Sequence, residues 1–458
     1  MKNILLKKFG RREFLKASIN VVALSALPQI SLAQSNPDVV VIGAGSAGLA
    51  ATAELLKNNK SVICIEAMNR IGGRCHTDNS IFGVPYDTGA HWLHNLHSQW
   101  NDNYYNQIAQ YGKDNGFKIY DDYYEDDIIY DGRKIINDQK KIWDLYSKIK
   151  KIKSKAKEDR PFIDFIPNNL KQDKWFDTVA KIITTRDFDN FSPYDGNKNW
   201  QSGGDGNGFV KGGYGALLAH YRKGVPVKLN TIATKINWSG KGVKVETNNG
   251  TIDAKACIVT VSTGVLNSSK IKFTPELPAK KYEAFDGISM NSYHRIAIEH
   301  DPKFFSLYGI NADNYLYMKV DSENSNSEPE AVNGLLRVFG KNVSYFNTKG
   351  RFAKDLENEG QDASIDFVLN KLRSTLGSSI DKYFIKAHAT EWINNPYTLG
   401  AYSGAKPGKA NLRNALKEPV GKKIFFAGEA TAGQYATVHG ADRSGKRAAE
   451  LLIKKVKF

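Results

Sequence analysis

The sequence predicts an α/β fold in which a doubly wound, Rossmann-like sheet domain carries an inserted α+β domain. An apolar run at 38–42 is followed by a glycine-rich turn at 43–48, a segment of helical composition and a second apolar run at 61–65. Strand, glycine turn, helix and strand in this order form the first half of a doubly wound sheet. A further strand at 423–426 and a helix at 440–455 predict that both chain ends build this domain.

The middle of the chain has a different character and supplies the predicted insertion. Polar and aromatic residues dominate 100–200, where amphipathic patterns predict helices at 139–153 and 162–184. Strand patterns lie at 226–236, 242–247, 251–261, 290–300 and 331–339, and a helix is predicted at 362–376. The predicted segments are 37–98, 206–282 and 389–458 for the sheet domain, and 99–205 (helical) and 283–388 for the inserted substrate domain.

Residues 1–33 resemble an export signal. The run at 10–16 resembles a twin-arginine motif, and an uncharged stretch at 17–32 ends in a small-x-small cleavage pattern. This stretch is too short to span a bilayer comfortably. We therefore expect a periplasmic protein that uses the twin-arginine export machinery and has no stable membrane anchor. A frayed N-terminal helix is the alternative.

Net charge and cysteines restrict the classes of function. The formal charge is +16, and residues 1–33 account for five of these charges, so the remaining chain stays basic. The positive charge is scattered except at 148–157, which we interpret as a solvated helix face, so no nucleic-acid partner is expected. Cys64, Cys75 and Cys257 have no close spacing, and this excludes a disulfide framework and predicts no metal site.

The glycine turn predicts a dinucleotide site. Gly43 permits the tight turn, Gly45 lets the backbone approach a pyrophosphate, and Gly48 allows close packing of helix on strand. The helix N-terminus that follows presents free N–H groups to phosphates. Glu66 ends the second strand, where an acid accepts hydrogen bonds from ribose hydroxyls. The same predicted site includes Ser46, Ala47 and Ala67.

Several motifs make the chain similar to the FAD-dependent amine oxidases. Residues 66–74 resemble their E-x-x-x-R-x-G-G-R segment, and 87–94 resemble their D-x-G-A-x-W-x-H segment. The stretches at 208–215 and 260–266 match structural markers of the family, and 437–441 looks most like the polyamine oxidase and lysine-demethylase branch. The resemblance spans roughly 37–455 and is faint across 100–200.

This resemblance implies FAD as the cofactor. Arg74 would pair with the pyrophosphate, Glu429 would hold hydroxyls of the flavin chain, and the helix opened by Thr437 and Val438 would face the flavin N1–O2 edge. Ala401 stands where monoamine oxidases carry a flavin-linking cysteine, so we expect noncovalent FAD. The remaining implied cofactor contacts are Gly89, Ala90, His91, Trp92, Ala233 and Gly428.

The implied catalytic residues are Trp392 and Tyr402 beside the flavin, His94 facing the substrate amine, and Arg295. A hydrogen-bonded structural histidine is the alternative for His94. The family usually has a lysine that holds a water near flavin N5. Arg295 takes its place here, or His294 if the register shifts by one. Because arginine and lysine are not interchangeable, this departure puts oxygen reactivity or the standard amine substrate in doubt.

The implied reaction is oxidation of a small-molecule amine by hydride transfer to flavin N5, followed by imine hydrolysis and reduction of molecular oxygen to hydrogen peroxide. The acidic run at 121–127 leads to the hypothesis that it recruits a di- or polyamine. The alternative is that Asp131 and Gly132 form a hairpin turn and the acids solvate its strands. An L-amino-acid oxidase, with Arg295 as the carboxylate ligand, and a noncatalytic FAD-binding protein remain alternative functions.

Overall fold

The computed structural model describes residues 36–99, 104–122, 128–131, 134–135, 139–199, 206–319 and 332–458. The export segment predicted at 1–33 and most of the acidic run, 123–127, lie outside the described residues. Residues from Pro37 to Phe458 form one compact unit.

The described strands and helices are numbered in chain order. The strands are β1 Val39–Ile42, β2 Val62–Ile65, β3 Thr77–Asp78, β4 Tyr86–Asp87, β5 Leu93–His94, β6 Ile119–Asp121, β7 Ile128–Asp131, β8 Lys134–Ile135, β9 Asn207–Val210, β10 Val227–Lys228, β11 Ala233–Asn237, β12 Val243–Thr247, β13 Gly250–Ala254, β14 Ala256–Val259, β15 Lys272–Thr274, β16 Ile288–Asn291, β17 Tyr293–His300, β18 Asn314–Lys319, β19 Val332–Leu336, β20 Val343–Lys349, β21 Phe384–Ala389, β22 Tyr402–Ala405 and β23 Ile424–Phe426. The helices are α1 Ser46–Lys57, α2 Gln107–Asp114, α3 Gln139–Lys155, α4 Asn168–Lys171, α5 Lys174–Thr184, α6 Pro193–Asn199, α7 Tyr214–Tyr221, α8 Thr263–Asn267, α9 Ala279–Gly287, α10 Pro302–Leu307, α11 Gly350–Asn358, α12 Gln361–Leu376, α13 Leu412–Lys417 and α14 Val438–Lys455.

A five-stranded parallel sheet in the order β10-β2-β1-β14-β23 confirms the predicted Rossmann-like domain. Every residue of β1 and β14 is buried, as expected for strands that are covered on both faces. The two strands that follow β1 in this order, β14 and β23, come from the middle and from the last part of the chain. The sheet therefore places the carboxyl end of β1 at a crevice between distant chain segments.

Helices α1 and α14 pack against each other on one face of this sheet, and glycines permit the close approach. A Cβ atom on Gly445 of α14 would lie 2.0 Å from the carbonyl oxygen of Ala47 in α1. A Cβ on Gly48 would lie 1.8 Å from the carbonyl oxygen of Gly43. The third glycine of the turn is therefore required for helix-on-strand packing.

A mixed seven-stranded sheet, in the order β21-β17-β20-β19-β18-β7-β8, forms the centre of the inserted region. The antiparallel pair β17–β20 sets Tyr293 opposite Lys349 and Arg295 opposite Asn347. Side chains alternate between the faces of a strand, so Tyr293 and Arg295 share one face and His294 lies on the other. His294 Nε2 accordingly lies 2.9 Å from Ser364 Oγ of α12.

The single helix predicted at 162–184 is wrong. This segment contains a 3₁₀ turn at Phe162–Phe165 and the separate helices α4 and α5. Pro167, which has no backbone N–H, precedes α4, and the Asp173 side chain accepts hydrogen bonds from the first N–H groups of α5. The strand predicted at 251–261 is likewise divided into β13 and β14, which lie in two different sheets.

Candidate cofactor and substrate site

One cavity of about 1240 Å³ runs from the carboxyl ends of β1 and β2 to strands β17 and β22. It exceeds the roughly 300–1000 Å³ that small-molecule sites usually occupy, so it has room for a large cofactor together with a small substrate. All the site residues predicted from the sequence line it except Gly48, whose role is in packing. The predicted residues in its wall are Gly43, Gly45, Ser46, Ala47, Glu66, Ala67, Arg74, Gly89, Ala90, His91, Trp92, His94, Ala233, Arg295, Trp392, Tyr402, Gly428, Glu429, Thr437 and Val438.

The glycine turn forms one end of the cavity. Gly45 precedes α1 with φ −71°, a conformation open to any residue, and a Cβ built on it meets no atom within 4 Å. The polypeptide itself therefore does not require glycine at this position. Glu66 is buried beside the turn, where its carboxylate accepts hydrogen bonds from Ala44 N at 2.6 Å and from Met68 N at 2.9 Å.

Two helix N-termini meet at this cavity. Ser46 Oγ at the start of α1 donates to the carbonyl oxygen of Val438 at the start of α14, at 3.0 Å. Thr437 caps α14, since its Oγ1 accepts a hydrogen bond from Gly440 N at 3.0 Å and donates to Gln434 O at 2.7 Å. Helix N-termini carry unpaired N–H groups and a positive partial charge, so both favour anionic or electron-rich ligand atoms.

Arg74 and Glu429, both predicted cofactor residues, form an ion pair in the wall with a distance of 2.9 Å. Arg74 also donates to Ala401 O, and Glu429 accepts hydrogen bonds from the backbone and hydroxyl of Ser403 and from Ala436 N. Burial alone would raise the pKa of Glu429, but Arg74 and these hydrogen bonds hold that pKa below its ordinary value. The carboxylate is therefore ionised and fixes the position of Arg74.

Of the two candidates for the position of the family lysine, Arg295 lines the cavity, whereas His294 points to the opposite side of β17. The Nη1 atom of Arg295 donates to the carbonyl oxygens of Asp87 and Gly89 at 2.6 and 2.7 Å. Its Nη2 contacts His91 Nδ1 at 2.8 Å, and its Nε donates to Asn347 Oδ1 at 3.2 Å. The guanidinium is thus bonded within the wall, which argues against the alternative considered from the sequence, in which Arg295 binds a substrate carboxylate.

Aromatic side chains line the wall at the β17–β22 end. The Tyr293 and Tyr402 rings lie 6.2 Å apart between centroids, at an interplanar angle of 48°. Trp392 is buried and donates from Nε1 to Thr88 O at 2.9 Å, which holds its indole in place. Burial raises the pKa of Tyr402, so its hydroxyl stays neutral.

His94 lies in the wall beside Trp92, with 6.3 Å between the ring centroids, and its Nδ1 is 2.7 Å from Asn207 Oδ1. An amide oxygen only accepts hydrogen bonds, so Nδ1 carries the proton and Nε2 has the lone pair. Burial lowers the pKa of His94 more than the hydrogen bond to Asn207 raises it. The imidazole is therefore neutral at pH 7. His94 is hydrogen-bonded, as in the structural alternative considered from the sequence, and it also lines the cavity.

Sequence reasoning missed several cations in the wall. Lys349 Nζ donates to Ile182 O at 3.0 Å and lies 5.4 Å from the centre of the Tyr293 ring. Burial lowers the pKa of Lys349 to about 7. Lys150 and Lys153 of α3 also line the cavity. Lys150 is exposed, in keeping with the solvated face predicted at 148–157, whereas Lys153 is half-buried. No local signal marks Lys349, because its position depends on the register between β17 and β20.

The described part of the acidic run is engaged in packing. Asp121 pairs with His97, and the buried Asp122 accepts hydrogen bonds from Tyr315 Oη at 2.8 and 3.0 Å. Strands β7 and β8 pair antiparallel with Asp131 opposite Lys134, as expected for the strands of a hairpin. The remaining acids, 123–127, lie outside the described residues, so the solvating role proposed for them stays a prediction. Neither Asp121 nor Asp122 belongs to the cavity lining.

Two negative findings apply to the described ranges. Within them, His, Cys, Asp and Glu side chains form no group of three that would hold a metal ion. Nor does any helix there combine the length and the apolar character needed to cross a bilayer.

The residues present fit FAD. The open space beside Gly45, the acid at the end of β2, and the two helix N-termini match what a dinucleotide pyrophosphate and ribose require. Further along the same cavity, Thr437 and the aromatic wall leave room for a flat ring system. Fold and site together define a dinucleotide-binding oxidoreductase.

Comparisons with known proteins specify this class. A model of the family described as flavin containing amine oxidoreductase matches residues 184–453, and one for an NAD(P)-binding Rossmann-like domain matches 41–108. Polyamine oxidase 4 of Oryza sativa subsp. japonica is 28% identical, over 92% of this chain and 90% of the relative. Polyamine oxidase 5 of the same plant is 30% identical, over 91% and 87%. A putrescine oxidase structure with bound putrescine superposes with a TM-score of 0.71 at 19% identity, over 91% of this chain and 99% of that chain.

The chain belongs to the flavin-containing amine oxidoreductase family. It is an FAD-dependent amine oxidase whose substrate is a small-molecule amine.

Proposed function

We propose that the protein oxidises a small amine, binds FAD noncovalently, and uses molecular oxygen as the electron acceptor. The observation that carries this proposal is the single cavity that joins the glycine turn at Gly45 to the aromatic wall of Tyr293, Tyr402 and Trp392. Bound FAD would supply a two-electron acceptor for oxidation of the carbon next to nitrogen, with molecular oxygen reduced to hydrogen peroxide and the imine hydrolysed by water.

The aromatic wall orients the amine. The face of the Tyr402 ring attracts an ammonium group on entry, and a cavity that excludes bulk water then favours the neutral amine that can react. His94 presents the lone pair of Nε2, which accepts a hydrogen bond from the substrate N–H. Arg295 holds the 87–91 segment against β17 and so keeps the wall in register.

Two classes of substrate are candidates: di- or polyamines, and L-amino acids. The similarity of the chain to plant polyamine oxidases and to a putrescine oxidase supports a di- or polyamine. The cations in the cavity wall favour the alternative, an L-amino acid or similar molecule. The third possibility, a noncatalytic FAD-binding protein, predicts that no amine reduces the flavin.

The test is a panel of amines mixed with the purified holoenzyme, with anaerobic flavin bleaching and aerobic peroxide release as readouts. At least one amine is expected to give both signals. Tyr402→Phe keeps the ring and is expected to stay within about threefold of wild-type kcat/KM, whereas Tyr402→Leu is expected to lose about tenfold. Bleaching without peroxide would exclude oxygen as the acceptor, and absence of bleaching by every amine would favour the noncatalytic alternative.

We also propose export to the periplasm through the twin-arginine route, which carries folded, cofactor-loaded proteins. The support is the motif at Arg11 and Arg12. Changing both residues to Lys is expected to trap unprocessed precursor in the cytoplasm, as measured by cell fractionation and immunoblotting. Unchanged periplasmic activity in that variant would rule out the route.

A further inference from the structure

The acidic residues in the described part of the cavity wall all have partners. They are Glu66, Asp195 and Glu429. Glu66 is bonded to two backbone N–H groups, and Glu429 is paired with Arg74. Asp195 forms a buried two-bond ion pair with Arg413, at 2.7 Å for each bond. None of these carboxylates is placed to receive the second ammonium group of a diamine.

The basic residues of the wall are in a different situation. Arg186 is bonded to Ser289 O, Gly404 O and Asn190 O, and Arg295 is bonded within the wall. Among the described residues, Ile182 O is the acceptor for the Lys349 ammonium, which carries three N–H groups and lies beside the Tyr293 ring on the face of the sheet that carries Arg295. Within the described part of the aromatic wall, Lys349 is therefore a cation with unused donor capacity.

We propose that Lys349 binds an anionic group of the substrate, so that the oxidised amine carries a carboxylate rather than a second ammonium. This inference rests on the amine oxidase activity proposed above and specifies its substrate class as amino acids or other amino-carboxylates. Lys349 thus has a role in substrate binding, whereas Arg295 holds segments of the wall together.

Electrostatics in the cavity favour this class. In a poorly solvated site, an ammonium next to Lys349 is repelled and a carboxylate is attracted, and the difference is larger than in water. Burial lowers the pKa of Lys349 to about 7, and no carboxylate among the described residues offsets this shift. A bound carboxylate would supply the missing negative charge.

A first experiment compares matched substrates on the holoenzyme. Pentylamine, 1,5-diaminopentane and 5-aminopentanoate differ only in the charge of the distal group, and isopentylamine and L-leucine differ only in the α-carboxylate. At least one carboxylate-bearing member is expected to exceed its uncharged partner by about tenfold in kcat/KM, and the diamine to be the poorest. Better turnover of the diamine than of both carboxylate-bearing amines would overturn the inference and leave the oxidase function standing.

A second experiment tests the residue. Lys349→Met is expected to lower kcat/KM for the carboxylate-bearing substrate by about 10- to 100-fold, mainly through KM, while the uncharged partner changes by less than about threefold. Lys349→Arg is expected to restore much of the loss. Lys354→Met removes the same charge from the exposed face of α11, outside the cavity lining, and serves as the matched control.

A binding measurement keeps the test independent of turnover. Pentanoate, which has no amine to oxidise, is titrated into the holoenzyme, and the change in flavin absorbance gives Kd. Lys349→Met is expected to raise this Kd by about tenfold or more, and Lys354→Met to leave it unchanged. Equal Kd values for wild type and Lys349→Met would overturn the inference even if no amine were oxidised.

Discussion

Single residues in the cavity wall connect segments that are far apart in the sequence. Arg295 joins β17 to the 87–91 segment, and the ion pair of Arg74 with Glu429 joins the first nucleotide-binding segment to the last. These bonds are buried, so losing one partner leaves the other without a replacement from water. The main effect expected of a substitution here is therefore on the shape of the wall.

Arg295→Lys tests whether this residue has a structural role. Lysine cannot reach two carbonyl oxygens, His91 and Asn347 at once, so the variant is expected to lose about 1–3 kcal/mol of stability and some FAD affinity. Chemical denaturation and the flavin-to-protein ratio measure both effects. Arg351→Lys, at an exposed ion pair with Asp189, is the control and is expected to change stability little. A more stable or more active Arg295→Lys enzyme would contradict the structural role.

Gly45→Val separates binding from folding. Since a Cβ at this position meets no protein atom and φ is ordinary, the apoprotein is expected to keep its wild-type Tm. The added side chain projects into the open space beside the turn, so FAD retention is expected to fall by at least about tenfold. Gly240→Val, another position with open space but outside the cavity lining, is the control. Full flavin content in purified Gly45→Val would exclude pyrophosphate binding at this turn.

Lys349 predicts a pH dependence of stability. Its pKa is about 7 in the folded protein and 10.5 when unperturbed, so the unfolded chain binds more protons between these values. The contribution of Lys349 to stability is present above pH 10.5 and is lost as pH falls through about 7, at up to about 1.4 kcal/mol per pH unit. Without added substrate, Lys349→Met is expected to gain stability over wild type at pH 7 and to lose that advantage near pH 10. Denaturation curves at both pH values check this, and Lys354→Met should show no such trend.

At the scale of secondary structure, the local motifs were predictable and the long-range register was not. The glycine turn and the Thr437 cap follow from adjacent residues, so the sequence located both helix N-termini at the cavity. The break at Pro167 was also a local signal, but the amphipathic pattern of 162–184 concealed it. Lys349 was not predictable, since its place beside Tyr293 results from the pairing of two strands about fifty residues apart.

Thr437→Ala tests the contribution of the α14 cap to the site. Loss of the hydrogen bond from Gly440 N is expected to cost about 1 kcal/mol and to weaken FAD binding, whereas Thr437→Ser should preserve both. Asp301→Ala removes the α10 cap outside the cavity lining, so it is expected to reduce stability without changing FAD affinity. Thermal denaturation and FAD titration of the apoproteins distinguish the cases. An unchanged FAD Kd in Thr437→Ala would show that the cap does not contribute to cofactor binding.

At the scale of the whole molecule, the cavity that fits FAD is lined by residues from the first, middle and last segments of the chain. A ligand that binds only the folded state stabilises it by about 2.7 kcal/mol when its concentration is 100 times Kd. Removal of FAD is therefore expected to lower Tm, and adding it back should restore the original value.

The residue at position 401 of this cavity allows a test of noncovalent FAD attachment. Because alanine at 401 offers no sulfur to the flavin, acid precipitation of the holoenzyme is expected to release all yellow colour into the supernatant. Absorbance of the supernatant and of the redissolved pellet measures the partition. Flavin that stays with the pellet after denaturation would show a covalent link through another residue.

The contact between Ser46 and Val438 spans 392 positions, and it has a consequence for the timing of biosynthesis. Strand β23 and helix α14 are translated after the other described elements, so a nascent chain that has not reached them lacks one edge of the sheet and one of the two helix termini at the cavity. FAD capture must then follow the synthesis of α14, and closing so distant a contact is slow. A cell that exports this enzyme in folded form would need to delay its translocation until the final helix has docked.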